Sequence, residues 1–236
     1  MDICSHSMLS RFLNSNSVVM DLGANQGEFL QAIIQRFRCN VIAVEPVKAL
    51  FEEIPRNPLL QLLPIAVGGK NQSIEINIYG TRCASILGAK SSQEFQTTQT
   101  VEMVTLAELR RRTGTNRIDL LKIDIEGAEI DLFDSCSDQE LQTVMQITVE
   151  FHEFLYPEQA PAVKRIIERL DRIGFWVLPF SLDNTNVLFV NRATGLGAAE
   201  VAVLRSFVRY GKGIARRVRR TLTEQGPFKG ETARRS

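Results

Sequence analysis

Three carboxylates and a lysine crowd one eight-residue stretch of this chain, Lys122-Ile123-Asp124-Ile125-Glu126-Gly127-Ala128-Glu129. Strand alternation puts Lys122, Asp124 and Glu126 on one side, away from Ile123 and Ile125. Glu126 and Glu129 then sit at a helix start, where the dipole stabilises an acid by about 0.3–1 kcal/mol. Capping accounts for one or two such acids. Three at the carboxyl end of a buried strand point to chemistry. A second acid–imidazole group, Glu150-Phe151-His152-Glu153, ends another apolar run. Glu150 and His152 share the face opposite Phe151, and an imidazole there could act as a base or orient a neighbour.

Two further segments have the form of a ligand cradle. Asp21-Leu22-Gly23-Ala24-Asn25-Gln26-Gly27 lies between a predicted strand and a predicted helix. Gly23 and Gly27 let a ligand approach the backbone, at the place where open α/β sheets bind ligands. The dinucleotide fingerprint would need glycine where the chain has Asn25. Glu28 at the helix N-terminus would repel a pyrophosphate, so a ligand with a cationic or zwitterionic end suits the turn better. Glu45 ends the second strand, 24 residues after Asp21. A carboxylate there can accept hydrogen bonds from both hydroxyls of a ribose.

The elements that would hold these residues read as an alternating α/β chain. Buried strands are expected at Val18–Leu22, Val41–Val44, Leu62–Val67, Ile118–Ile125 and Val144–Phe151. Helices are expected at Glu28–Arg38, Val47–Glu53, from Thr105 to Arg112, from Gly127 through Phe133, and at Gln159–Ile173. Ser73–Tyr79 alternates like a half-exposed strand, Thr81–Thr98 reads as a polar loop, and Thr100–Val104 as a further strand. Phe175–Phe180 and Asn186–Val190 close the chain as an antiparallel hairpin around an Asp183-Asn184 turn. The fold class is α/β, with a mostly parallel sheet and helices on both faces.

The composition fits this. The chain has 236 residues, 44% apolar and 23% charged, which excludes a mainly disordered or coiled-coil chain. Net charge is +1, so there is no global pull toward nucleic acid. Residues 196–236 carry a net +7 and residues 1–195 a net −6, so a domain over 1–195 and a basic tail are read separately. Cys4, Cys39, Cys83 and Cys136 form no metal-ligand spacing with His6 or His152. With no signal-peptide pattern and no apolar run of membrane-spanning length, a cytoplasmic protein is expected.

Taken in order, these segments resemble the FkbM family of S-adenosylmethionine-dependent methyltransferases. DLGANQGEF, VEP, AVGG, VTLAEL, LLKIDIEGAE and VEFH carry the resemblance, over about residues 18–190. It implies a class I methyltransferase fold, a seven-stranded Rossmann-like sheet with the last strand antiparallel. It further implies that Asp21, Gly23, Asn25 and Gly27 line the methionine end of the cofactor. Glu45 would take the ribose, and Ala66 and Val67 would lie near the adenine. Asp124 would lie near the transferred methyl, with Glu126, Glu129 and His152 around the acceptor. Ser85, in the Cys83–Leu87 stretch, would cover the site. About 17 residues precede the first strand, so little N-terminal lid is expected.

The expected reaction is O-methylation of a sugar, glycan or natural-product hydroxyl. Asp124 or His152 would remove the acceptor's proton. Alternatively, a divalent metal at Asp124 and Glu126 would lower its pKa, and the sequence does not separate the two. The rival classes are a nicotinamide-dependent oxidoreductase, disfavoured by Asn25 and Glu28, and a non-catalytic cofactor-binding module. Residues 198–222 place apolar and basic stripes side by side, as a peripheral membrane helix would. A solvated tail fits them equally.

Overall fold

The computed structural model describes residues 1–79, 83–85, 95–152, 157–180 and 186–206. A short hairpin, β1 (Asp2–Ile3) and β2 (His6–Ser7), opens the chain. The main sheet has seven strands, β3 (Val18–Leu22), β4 (Asn40–Val44), β5 (Leu60–Leu63), β10 (Leu120–Ile123), β11 (Gln146–Glu150), β12 (Phe175–Pro179) and β13 (Asn186–Asn191). Their order is β12-β13-β11-β10-β3-β4-β5. Only β13 runs against its neighbours, pairing antiparallel with both β11 and β12. This is the class I methyltransferase arrangement.

The chain runs outward from β3 to β5, then returns to β10 beside β3. The crevice beyond the carboxyl ends of β3 and β10 is therefore the topological switch point, where such sheets bind ligands. Helices cover both faces: α1 (Glu28–Phe37), α2 (Lys48–Glu53), α3 (Leu106–Thr113), α4 (Glu129–Ser135), α5 (Asp138–Gln142) and α6 (Ala160–Arg172). Strand alternation sorts β3 cleanly. Met20 and Leu22 pack in the core cluster with Leu132, Phe133, Val163 and Ile166, and Val19 packs with Phe29, Leu30 and Ile33 of α1. Asp21 and Lys122 fall on the α1 face.

A second sheet, ordered β6-β9-β7-β8, stands beside the main one: β6 (Ala66–Val67), β7 (Gln72–Tyr79), β8 (Cys83–Ser85) and β9 (Phe95–Val104). Two expectations need correction here. Leu62–Val67 is two strands in two sheets, because Pro64 lacks an amide hydrogen and restricts the residue before it. The stretch expected as a loop over Thr81–Thr98 contains β8 and the start of β9. Residues 95–98 are exposed throughout, so no apolar alternation marks them as strand. Ile86 and Leu87 of the expected cover segment, Glu153, and the Asp183-Asn184 turn lie outside the described residues.

Contacts group the chain into two units, Met1–Gly197 and Ala198–Ser236. In the second, residues 198–206 are helical, and the rest of the basic stripe lies outside the described residues. Among the described residues, no helix is long and apolar enough to cross a membrane.

Candidate active site

Four adjacent strands end at one crevice. Gly23 follows β3, Glu45 follows β4, Asp124 follows β10 and His152 follows β11. A cleft of about 650 Å³, counting its open mouth, is lined by Gly23, Asn25, Glu45, Asp124 and Glu126 on its polar side. Val47, Leu50, Ala66, Val67 and Ile76 supply apolar walls, the last three from the second sheet.

Gly23 has φ of +82° and packs so tightly that a Cβ would collide with the Asp124 carbonyl oxygen. Only glycine meets both conditions, so it fixes the spacing of the β3 and β10 ends. Gly27 caps α1 at φ +81°, and Asn25 sits at φ +50°. Glu45 is buried, and both of its oxygens are held. Oε2 accepts from the Asn25 amide at 2.7 Å and Oε1 from the Val47 amide at 2.9 Å. Burial pushes its pKa up to about 7 against the pull of those two amides.

Asp21 and Lys122 are register partners on β3 and β10 and both are buried. Lys122 Nζ lies 3.0 Å from Asp21 Oδ1 and 3.6 Å from Asp124 Oδ2, and donates to the Gly23 carbonyl at 2.5 Å. Burial lowers the lysine's pKa, but Asp21 and Asp124 outweigh it and keep the ammonium charged. Its place on the strand is plain in the sequence, but its partner Asp21 is 101 residues away and is brought opposite it only by the fold.

Asp124 is the hub. Its Oδ2 lies 3.4 Å from His6 Nε2, and its Oδ1 lies 4.0 Å from His152 Nε2. Burial raises its pKa, yet the His6 hydrogen bond and the Lys122 and histidine charges outweigh that and hold it at about 2. His152 Nε2 also lies 3.4 Å from Glu126 Oε2, and its Nδ1 lies 3.0 Å from Glu129 Oε1. Burial lowers the imidazole's pKa, but Glu129, Glu126 and Asp124 bring it up to about 9. Glu126 stands at φ +52°, a strained conformation for a residue with a side chain.

Two expected placements change. Glu129 does not face an acceptor space. It is buried behind His152 and accepts from the Ile125 and Gly127 amides, as a first-turn acid does. Ala66 and Val67 line the cleft, but from the second sheet. Ser85 lies in β8 opposite Asn77.

His6 was missed altogether. It is buried, and the N-terminal hairpin places it against Asp124. Its only signal in the sequence was that the chain has just two histidines. Glu150, half-buried, brings its carboxylate within 4.8 Å of ligand atoms of His6 and Asp124. A second such set is Asp124, Glu126 and His152. A metal ligand must be a neutral imidazole. His152 has carboxylates against both ring nitrogens, Glu129 at Nδ1 and Glu126 at Nε2.

The model of the methyltransferase FkbM domain matches residues 21–177. No curated protein matches the sequence. Among solved structures, a methyltransferase from Pyrococcus furiosus is similar at 14% identity and TM-score 0.36, over 77% of this chain and 78% of that one. The Methanococcus jannaschii fibrillarin pre-rRNA processing protein is similar at 12% identity and TM-score 0.41, over 79% and 69%. Precorrin-6y C5,15-methyltransferase from Geobacter metallireducens GS-15 is similar at 10% identity and TM-score 0.39, over 75% and 80%.

Proposed function

This chain belongs to the FkbM methyltransferase family, and from that premise we propose that it moves a methyl group from S-adenosylmethionine to a hydroxyl of an uncharged sugar, glycan or natural product. The observation that carries the reading is the meeting of Gly23, Glu45, Asp124 and His152 at four neighbouring strand ends.

The cleft's own residues fit that cofactor. Glu45 is set by two backbone amides and keeps lone pairs for ribose hydroxyls. Val47, Leu50, Ala66, Val67 and Ile76 give a purine apolar walls. Asp21, Gly23, Asn25 and Gly27 shape the turn for the amino-acid end, with Lys122 balancing the Asp21 charge. When bound, S-adenosylmethionine supplies an electrophilic methyl on a cationic sulfur and a neutral leaving group. Asp124 keeps a full negative charge at the cleft wall, which favours a cation there.

Proton removal falls to His152. A carboxylate held at a pKa of about 2 is a weak base, and an imidazole at about 9 is a far stronger one. At neutral pH His152 would first have to lose its own proton, and a cation bound beside Asp124 would lower its pKa in that direction. Nε2 then takes the hydroxyl proton while Glu129 holds the Nδ1 hydrogen and stabilises the imidazolium. Glu126 and Glu150 set two further carboxylates beside Asp124, and these would repel an acceptor that carries phosphate or carboxylate near its hydroxyl.

Calorimetric titration with S-adenosylhomocysteine, beside Glu45→Ala, tests the cofactor. Micromolar binding that weakens at least about tenfold in the variant is expected from the loss of charged hydrogen bonds. No binding by folded wild-type protein would overturn the proposal.

A further inference from the structure

The N-terminal hairpin carries a histidine that the proposed chemistry leaves idle. Cys4 and Ser5 form its two-residue turn, at φ +46° and +67°. Such a turn favours Gly, Asn or Asp, so this one stores strain to close the Ile3–His6 pair. The segment is also tied down behind the turn. The buried Gln146 side chain of β11 accepts from the Leu9 amide at 2.8 Å, and its own amide points back to the Leu9 carbonyl at 3.4 Å. β2 lies against β11 and β13, the Phe29 ring packs edge-on to His6 at 5.8 Å, and His6 is 1% exposed.

Among the described residues, two side chains lie within hydrogen-bonding reach of the imidazole, with the Glu150 carboxylate farther off, within 4.8 Å. Nδ1 lies 3.5 Å from Thr148 Oγ1, and Nε2 lies 3.4 Å from Asp124 Oδ2. Because the carboxylate only accepts, the Nε2 hydrogen must point to Asp124. Two groups, His6 and Lys122, therefore hold Oδ2, and Oδ1 is the oxygen turned toward His152.

We propose that His6 is a positioning residue of methyl transfer: it pins Oδ2 of Asp124, so that this carboxylate keeps one fixed orientation toward the cationic end of the cofactor. The proposal rests on the S-adenosylmethionine reading above. A core histidine with no such role would affect charged and neutral ligands of the cleft alike. A residue that aims the Asp124 charge would affect the cationic ligand selectively.

The test compares S-adenosylmethionine with S-adenosylhomocysteine, which lacks the methyl and its positive charge. Calorimetric affinities for both are measured for wild type, His6→Phe, His6→Gln, Asp124→Asn and the His6→Phe/Asp124→Asn double variant. Phenylalanine keeps the ring beside Phe29 and removes the donor, whereas glutamine keeps a donor. In His6→Phe the ratio of the two affinities should shift against S-adenosylmethionine by about two- to tenfold, the worth of one hydrogen bond. S-adenosylhomocysteine affinity should stay near wild type, His6→Gln should restore most of the ratio, and the double variant should match Asp124→Asn.

An unchanged ratio, an equal loss for both ligands, or a His6→Gln that behaves like His6→Phe would overturn the proposal. Failure of wild type to bind either ligand would instead overturn the cofactor reading. Nitrogen NMR of the wild-type histidines gives a result that needs no variant to fold. His6 should carry its hydrogen on Nε2, and a hydrogen on Nδ1 alone would refute the contact with Asp124.

Discussion

Replacing Glu129 with glutamine should lower the pKa of His152 and leave the fold in place. The imidazole is brought from 6.5 up to about 9 by three carboxylates at 3.0, 3.4 and 4.0 Å. That difference corresponds to about 3 kcal/mol of preference for the charged ring. With an effective dielectric of about 20, each pair contributes on the same scale, and the closest contributes most. Removing Glu129 should therefore lower the pKa by at least about 1.5, to about 7.5 or below.

The sign carries over to stability. A histidine raised on folding stabilises the protein fully below pH 6.5 and loses that contribution as pH rises through about 9. Glu129→Gln should thus cost about 2 kcal/mol at pH 6, and the gap should close toward pH 10. The chain has two histidines, so their ring-proton titrations are separable by NMR, with His6→Phe as the assignment control. A wild-type His152 that titrates near 6.5, or one still near 9 in the variant, would refute the carboxylate cage as the source of its basicity.

Gly23→Ala should be poorly tolerated, since its Cβ meets the Asp124 carbonyl and φ is +82°; a cost of at least about 2 kcal/mol in urea unfolding is expected. Lys122→Met should lose about 3–5 kcal/mol by leaving Asp21 buried and unpaired, and adding Asp21→Asn should recover part of it. Binding of S-adenosylhomocysteine should strengthen from pH 6 to 8, because Glu45 becomes a free acceptor only as pH rises through about 7. A flat profile there would count against Glu45 as the ribose ligand. In radiolabelled methyl transfer, phosphorylated sugars should be worse acceptors than their neutral parents, and Glu126→Gln should narrow the difference.

Much of this was legible in the sequence because parallel strands are buried on both faces and read as unbroken apolar runs. Val18–Leu22 and the Glu28 helix start emerged at the residues where they lie, and each polar residue ending such a run fell at the crevice. The second sheet was harder to see. Residues 95–98 meet solvent on both sides, so their strand character comes from pairing with β7 and not from pattern. Glu129 was visible as an acid at a helix start, but whether it turns inward to His152 or outward is a matter of tertiary packing. His6 depended on more than a hundred residues of intervening chain folding back, a contact no local period encodes.

The register that sets Lys122 opposite Asp21 also bears on how the sheet assembles. In a parallel pair, a slip by one residue sends every side chain to the other face. For β10 that would push Lys122 into the apolar layer now filled by Leu121 and Ile123, against Leu132 and Phe133. It would also leave Asp21 opposite Leu121 or Ile123, according to the direction of the slip. Two stranded charges in a dry core cost several kcal/mol each, more than a well-packed apolar slip could return. The charges at the crevice thus act as a proofreader of strand pairing. A chain that has joined its central strands in the wrong frame is penalised at the same residues that the finished protein needs at its crevice.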